Sequence, residues 1–477
     1  MLHIPLKFYA ALILAMLLAL GFKQPNVQIA SRPNILLCIA DDWSLHAGVY
    51  GDKVVKTPHI DRLAASGVVF QNAFCAAPSC SPSRAAILTG RYPHQLEEGG
   101  NLWGMLPFKY PNYTLLLEKN GYFVGKERKG WGPGWEKEGG YTHNPAGENF
   151  KDFDEFLQKR PQGQPFCYWF GSQDPHRPYD KGTGIASGMK PEEVKVPAWL
   201  PDTPEVREDI LDYYYEVERF DREVGQMIEK LRQMGELDNT LVVVTSDNGM
   251  PFPRAKATVY DGGANVPLII AWKNQIAPQT QHAQTFVNLL DLAPTFLEVA
   301  GLPIPTDMTG KSLLPFLKKT KPTHRSEVFL ERERHANVRR GDKPYPVRAI
   351  RTKDFLYINN LQPELHPAGD PQKWVAVGPY GDIDGSPSKQ LILDDTLRFA
   401  TYFRLACAKR PAEELYDLRQ DPNQLHNVAH LPKYKSQKQR LAAQVKSWQQ
   451  ATQDPRAKGQ DPFTGYAYYG ERPQKRE

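Results

Sequence analysis

The run Asn34-Ile35-Leu36-Leu37-Cys38-Ile39-Ala40, closed by Asp41-Asp42, decides the fold. Nearly every side chain in it is apolar, so both faces of the strand it predicts must be buried. That is the pattern of a parallel sheet covered on two sides. Working outward, 68–74, 166–170, 241–246 and 267–272 are further apolar runs of strand length. Between them, 83–89 opens a helix, 207–234 carries helical periodicity, and 289–300 reads as a helix closed by Gly301. Strands alternating with helices in this way predict an α/β fold, with a mostly parallel sheet flanked by helices. After about residue 340 the texture changes. Short strands at 347–351 and 355–359 precede a Pro/Gly/Asp-rich loop over 362–389, and a terminal helix spans roughly 434–451. A smaller C-terminal antiparallel α+β subdomain is expected there, dividing the chain into 31–340 and 341–477, with the residues from Gly470 onward frayed.

Composition narrows the class. Among 477 residues, 22 Tyr, 21 Phe and 9 Trp exclude a disordered chain, while 41 Pro and 36 Gly imply much loop. A net charge of +5 is too small to argue for nucleic acid as a partner. No feature of the sequence sets an oligomeric state. Lys7 followed by the apolar run from Phe8 to Phe22 reads as a secretory signal over 1–22, with an uncleaved anchor as the alternative. The expectation is an exported protein, periplasmic or extracellular. Of five cysteines, Cys38 and Cys167 sit in apolar strands as buried thiols, whereas Cys80 lies in a polar, helix-starting context.

In parallel α/β sheets reactive groups gather at the carboxyl ends of strands. Three motifs fall at such ends: Asp41-Asp42, Ser246-Asp247-Asn248-Gly249 and Asp174-Pro175-His176-Arg177. Each alone also reads as a helix cap or turn. Together they offer carboxylates and an amide carbonyl, a hard-oxygen set suited to Ca²⁺ or Mg²⁺ and poor for zinc. Cys80-Ser81-Pro82-Ser83-Arg84 places a cysteine beside a helix start, where free N–H groups favour a small anion such as sulfate or a thiolate. A structural cysteine and a cysteine hydrolase both remain open on that motif alone.

Cys80-Ser81-Pro82-Ser83-Arg84 continuing into Ala85-Ala86-Ile87-Leu88-Thr89-Gly90-Arg91 resembles the signature of the formylglycine-dependent sulfatases. Arg32-Pro33-Asn34, the Asp pair, Thr57-Pro58-His59-Ile60-Asp61, Gly125-Lys126 and Asp247-Asn248-Gly249 occur in the order of that family. Leu200-Pro201-Asp202-Thr203-Pro204, Pro251-Phe252-Pro253, Tyr345-Pro346-Val347-Arg348 and Glu414-Leu415-Tyr416-Asp417-Leu418 resemble its sulfamidase (N-sulfoglucosamine sulfohydrolase) branch.

The resemblance implies an alkaline-phosphatase-like fold and a sulfatase acting on sulfate esters or N-sulfate of a sulfated saccharide. It implies that a maturation enzyme converts Cys80 to formylglycine, whose hydrate attacks sulfur. Asp41, Asp42, Asp247 and Asn248 would hold Ca²⁺, or Mg²⁺, with the group at Cys80 completing the shell. Arg84 would stabilise the hydrate, Lys126 and Lys256 would grip the sulfate, and His176 would protonate the leaving atom. The family carries a histidine where this chain reads Gly125-Lys126-Glu127-Arg128-Lys129-Gly130. Arg128 is therefore expected to take over as donor, with lowered or lost activity as the alternative and His143 as a remote substitute. A phosphonate or phosphodiester hydrolase and a non-catalytic glycan-binding relative are the competing functions. Arg332, Arg334, His335, Arg339 and Arg340 form a basic cluster, either a solvated surface or a reader of saccharide anions. Trp103, Trp131 and Trp135 are candidates for stacking on sugar rings.

Overall fold

The computed structural model describes residues 32–278, 282–375 and 378–470. The expected signal segment 1–22 lies outside them, as do the last residues, 471–477. Among the described residues no helix is long and apolar enough to cross a membrane.

Eight strands, β1 (Asn34–Ala40), β2 (Val68–Phe74), β3 (Phe123–Arg128), β4 (Glu148–Asn149), β5 (Phe166–Gly171), β6 (Thr240–Ser246), β7 (Leu268–Ala271) and β8 (Ala283–Asn288), make one sheet. Their order is β4-β3-β5-β1-β6-β7-β2-β8. β1 lies near the middle, and the alternation of its side chains splits the core. Ile35, Leu37 and Ile39 enter one apolar layer, while Leu36, Cys38 and Ala40 enter the other. At about 1.5–3 kcal/mol for each large apolar side chain fully buried, such a strand is held from both faces. β7 alone runs antiparallel to both its neighbours. Its direction follows from the chain before it, which stays at the carboxyl end of β6 and then turns back without a crossover.

The helix Pro204–Gln233 covers one face through Val206, Ile210, Tyr213, Val217, Phe220, Val224, Met227 and Leu231, spaced three or four apart. Thr203 caps it, and Pro204 at its first position needs no partner for a missing N–H. The helix Cys80–Thr89 lies wholly buried beneath the other face and ends at Gly90, whose φ of 64° is the left-handed cap. It begins three residues before the expected Ser83, because Pro82 is tolerated in a first turn, where N–H groups go unpaired. Cys80 is thus the first residue of the helix.

A second, antiparallel sheet has the order β12-β11-β10-β9, with β9 (Glu327–Arg332), β10 (Val347–Thr352), β11 (Phe355–Asn360) and β12 (Glu413–Asp417). β9 precedes residue 340, so this sheet draws its edge strand from the longer part of the chain. Ala349, Leu356 and Ile358 join the main core. Ile350, Phe355 and Tyr357 pack instead against Leu441, Val445 and Trp448 of the terminal helix Lys435–Ala451. Between β11 and β12 the chain also forms the short helices Pro387–Asp394 and Ala400–Cys407.

Fully buried Arg348 ties the two ends of this sheet-and-helix unit together. Its Nε donates to Asp454 at 2.7 Å and its Nη2 to Glu333 at 2.7 Å. Burial opposes the charge on Asp454, but Arg348 overrides it and holds that carboxyl well below the usual range. The stabilisation is therefore present at neutral pH and fades as acid protonates Asp454. Arg348→Leu strands a buried carboxylate and is expected to cost about 3–5 kcal/mol. A denaturant melt with an unchanged midpoint would remove Arg348 from this role.

Candidate active site

β1 and β6 are parallel neighbours with Ala40 opposite Ser246, so Asp41-Asp42 and Asp247-Asn248 leave the sheet side by side. Asp42 takes a left-handed φ of 74°, which turns the chain over the strand end. Its N–H donates to Asp247 Oδ1 at 3.1 Å, and its Oδ1 accepts from Asn248 Nδ2 at 2.7 Å. β5 flanks β1 on the other side, and Asp41 N–H donates to the Asp174 carbonyl at 3.0 Å. That contact brings in His176, whose Nε2 lies 3.8 Å from Asp42 Oδ2. Cys80 closes the group, with its Sγ 3.6 Å from Asp41 Oδ1.

Cations neutralise these acids. Arg84, one turn into the buried helix, donates from Nε to Asp247 Oδ2 at 2.7 Å. Its Nη1 is fixed by the carbonyls of Lys129 and Gly130 at 2.8 and 3.0 Å. Lys256 Nζ reaches Asp42 at 2.7 Å and Asp384 at 3.1 Å, and Lys129 Nζ reaches Asp41 at 2.5 Å. Burial opposes charge on Asp41, yet Lys129, His176, Arg84 and Lys256 together hold its carboxyl well below the usual range. Burial pushes Asp247 up to about 6 despite Arg84. Burial also pushes the Cys80 thiol up, so an unmodified cysteine here is a poor thiolate nucleophile.

Among the described residues, and counting histidine as neutral, the ring sets Asp41, Asp42, Asp247 and half-buried Asp384 against Arg84, Lys129 and Lys256, an excess of one negative charge. Asn248 Oδ1 is a buried acceptor with no hydrogen-bond partner. Donor atoms of Asp41, Asp42 and Cys80 lie within 4.8 Å of one another. Hard oxygens, an orphaned amide carbonyl and surplus negative charge all fit a divalent cation such as Ca²⁺ or Mg²⁺. With that ion the ring would turn net positive and would suit a sulfuryl monoanion.

Other expected side chains sit elsewhere. Arg128 does not stand beside Cys80: its guanidinium pairs with Glu223 at 2.6 and 2.9 Å and rests over Phe170 at the rim. Lys126 lines the cleft but donates to the Arg128 carbonyl and to Asn149 Oδ1, at 2.9 and 2.8 Å. The cause is local. Arg128 ends β3 with a left-handed φ of 50°, and the chain then crosses Gly171, where a Cβ would lie 1.6 Å from the Lys129 carbonyl oxygen. That crossing turns Lys129 inward. His143 is remote, bonded to the Asn144 carbonyl.

The basic cluster is neither a solvated face nor, for the most part, a reader of anions. Arg332 and Arg339 are buried on Asp382, which burial opposes but the two guanidiniums hold at about 2. His335 is buried against Ser79 Oγ at 2.8 Å, and burial lowers its ring to about 4. Only Arg340 is exposed. Trp131 belongs to the core and shows only an edge to the cleft, and Trp135 packs on Tyr469. Trp103 does line the cleft, which measures about 1030 Å³ and opens over Asp41 and Cys80. Two groups went unassigned in the sequence. Lys129 falls inside the motif that drew attention to Lys126, and Asp384 lies in a loop without periodicity.

Residues 33–302 match the family model described as Sulfatase, and residues 254–371 match that described as N-sulphoglucosamine sulphohydrolase, C-terminal. The chain is 31% identical to human N-sulphoglucosamine sulphohydrolase, covering 92% of this chain and 93% of that one. It is 28% identical to an ulvan-active sulfatase of Formosa agariphila, over 91% of this chain and 77% of the relative. A solved structure in complex with D-glucosamine-2-N,6-O-disulfate superposes with a TM-score of 0.62 at 19% identity. It covers 90% of this chain and 100% of that one, and the shared architecture is the alkaline-phosphatase-like sulfatase fold. Added Ca²⁺ is expected to raise the melting temperature by mass action, and Asp42→Ala to abolish the rise. A rise that survives Asp42→Ala would place the ion elsewhere.

Proposed function

The chain belongs to the sulfatase family and is a hydrolase of that class, and we propose that it releases sulfate from a sulfated saccharide at the pocket of Asp41, Cys80 and Asp247. The observation that carries this is the placement of Cys80. It starts a buried helix, 3.6 Å from Asp41, within a ring of acids met by Arg84, Lys129 and Lys256. Relatives named for N-sulphoglucosamine and for ulvan support a saccharide as the sulfate carrier. The apolar run from Phe8 to Phe22 supports export, which would bring the enzyme to extracytoplasmic polysaccharides.

In this reading a maturation enzyme acts on the Cys-Ser-Pro-Ser-Arg motif, and the resulting formylglycine at position 80 supplies a hydrated aldehyde as nucleophile. Asp41, Asp42, Asp247 and Asn248 would hold Ca²⁺ or Mg²⁺, which supplies Lewis acidity to that nucleophile and to a sulfuryl oxygen. The chain's own residues do the rest. Arg84 is locked by Asp247 and two carbonyls, so it keeps the pocket's geometry while adding positive charge. Lys129 and Lys256 present fixed ammonium groups where charge grows on the sulfuryl oxygens, in surroundings that exclude most water. Lys129 thus does the work that the family motif would give to Lys126 and its histidine. His176 Nδ1 donates to the Arg177 carbonyl at 2.5 Å. Its Nε2 therefore faces Asp42 and the pocket, where it delivers a proton to the leaving oxygen or nitrogen.

Three measurements test this. Cys80→Ala is expected to abolish sulfate release without lowering the melting temperature, and peptide mass spectrometry across position 80 is expected to find the aldehyde. An intact thiol in active protein would exclude formylglycine. Lys129→Met should lower kcat/KM by about 10²–10³, the scale of losing one charge-stabilising donor, whereas Arg128→Ala keeps most activity. The reverse ranking of these two variants would return the role to Arg128.

A further inference from the structure

The cleft over Cys80 has one wall that no motif announced. Tyr468 and Gly470, close to the carboxyl end of the chain, line it together with Trp103. The segment is clamped. Arg334, 1% exposed, donates from Nη1 to the Tyr466 carbonyl at 2.9 Å and from Nη2 to the Ala467 carbonyl at 2.8 Å. Tyr469 N–H donates to the Trp103 carbonyl at 2.9 Å, and Trp135 Nε1 donates to the Tyr469 carbonyl at 3.2 Å. The rings of Trp135 and Tyr469 lie 5.4 Å apart, and the Arg334 guanidinium sits 5.5 Å from the centre of the Tyr468 ring. Desolvating an arginine to grip two backbone carbonyls is costly, and burial does hold its pKa below the ordinary value. Such a cost is out of proportion to pinning an idle segment. It makes sense if the segment must stand in one place.

What the clamp holds in place is a half-buried tyrosine, Tyr468, that lines the pocket together with the half-buried Trp103. A pyranose ring has C–H groups on its faces, and these rest on the electron-rich faces of aromatic rings. Tyr and Trp supply that surface at little entropic cost, having few rotatable bonds. We propose that residues 466–470 form the wall of a saccharide subsite, in which Tyr468 and Trp103 hold a sugar ring of the substrate while its sulfate is bound below at Cys80. The proposal deepens the reading of the pocket as a sulfatase site and rests on it.

The test compares kcat/KM on two probes, 4-nitrocatechol sulfate and the most active sulfated disaccharide from a heparin- and ulvan-derived set. In Tyr468→Ala the ratio of saccharide to aryl-sulfate efficiency is expected to fall about tenfold, the scale of one aromatic contact, and Tyr468→Phe should restore it. Equal losses on both probes, or no change in the ratio, would overturn the subsite. Should the wild type turn over neither probe, the proposed function fails first. The wall is then judged by calorimetric binding of the same disaccharides: about tenfold weaker binding in Tyr468→Ala upholds it, and equal or absent binding overturns it.

Discussion

Carboxylates placed at the ends of two adjacent parallel strands cannot stay charged in a protein interior unless cations meet them, and much of this molecule is arranged around that demand. The register that sets Ala40 beside Ser246 makes Asp41, Asp42 and Asp247 near neighbours before any other contact forms. Arg84 reaches them from the helix beneath, Lys256 from the turn between β6 and β7, and Lys129 from the end of β3. Three separate stretches of chain are thereby drawn to one point. The residual negative charge and the orphaned Asn248 carbonyl oxygen are the features that a divalent ion would resolve.

The same demand explains why the second sheet carries so much buried charge. Asp382 lies between Arg332 and Arg339, while Arg348 lies between Glu333 and Asp454. Each is a buried ionic triad that contributes little relative to apolar packing but costs several kcal/mol to break. They fasten the small sheet and the terminal segment to the rim of the cleft. Arg334 and His335, on the stretch leaving β9, reach respectively the carboxyl-terminal wall and Ser79, the residue before Cys80. The two sheets therefore act on one site, the larger supplying the reactive groups and the smaller fixing their surroundings.

Much of this could be read without coordinates. Fully apolar strand-length runs require burial on both faces, and that alone announced a covered, largely parallel sheet. The direction of β7 could not be read, because a short apolar strand has the same pattern either way. The motifs around Asp41, Cys80 and Asp247 were legible because their side chains act close to where the backbone places them. Lys126, Arg128 and Lys129 were not separable. All three are long cations in one short stretch, and the choice among them turns on a left-handed residue at 128 and the close crossing at Gly171.

The arginines from 332 to 340 carry a related lesson. As a string they resemble a solvated basic face, and it is Asp382, returning from a distant loop, that meets Arg332 and Arg339 in the interior, while Arg334 is taken up by the Tyr466 and Ala467 carbonyls. The amino-acid sequence by itself announced the more apolar strands β1, β2, β5, β6, β7, β10 and β11, the helix that begins near Cys80, and the acids and amide suited to a hard cation, since each follows from local pattern, whereas β3, β4, β8, β9 and β12 did not stand out in it. Tertiary structure alone decided which lysine meets Asp41, which loop supplies Asp384, and that Tyr468 and Gly470 wall the cleft. Those choices depend on the meeting of segments far apart in the chain, and no local periodicity records such a meeting.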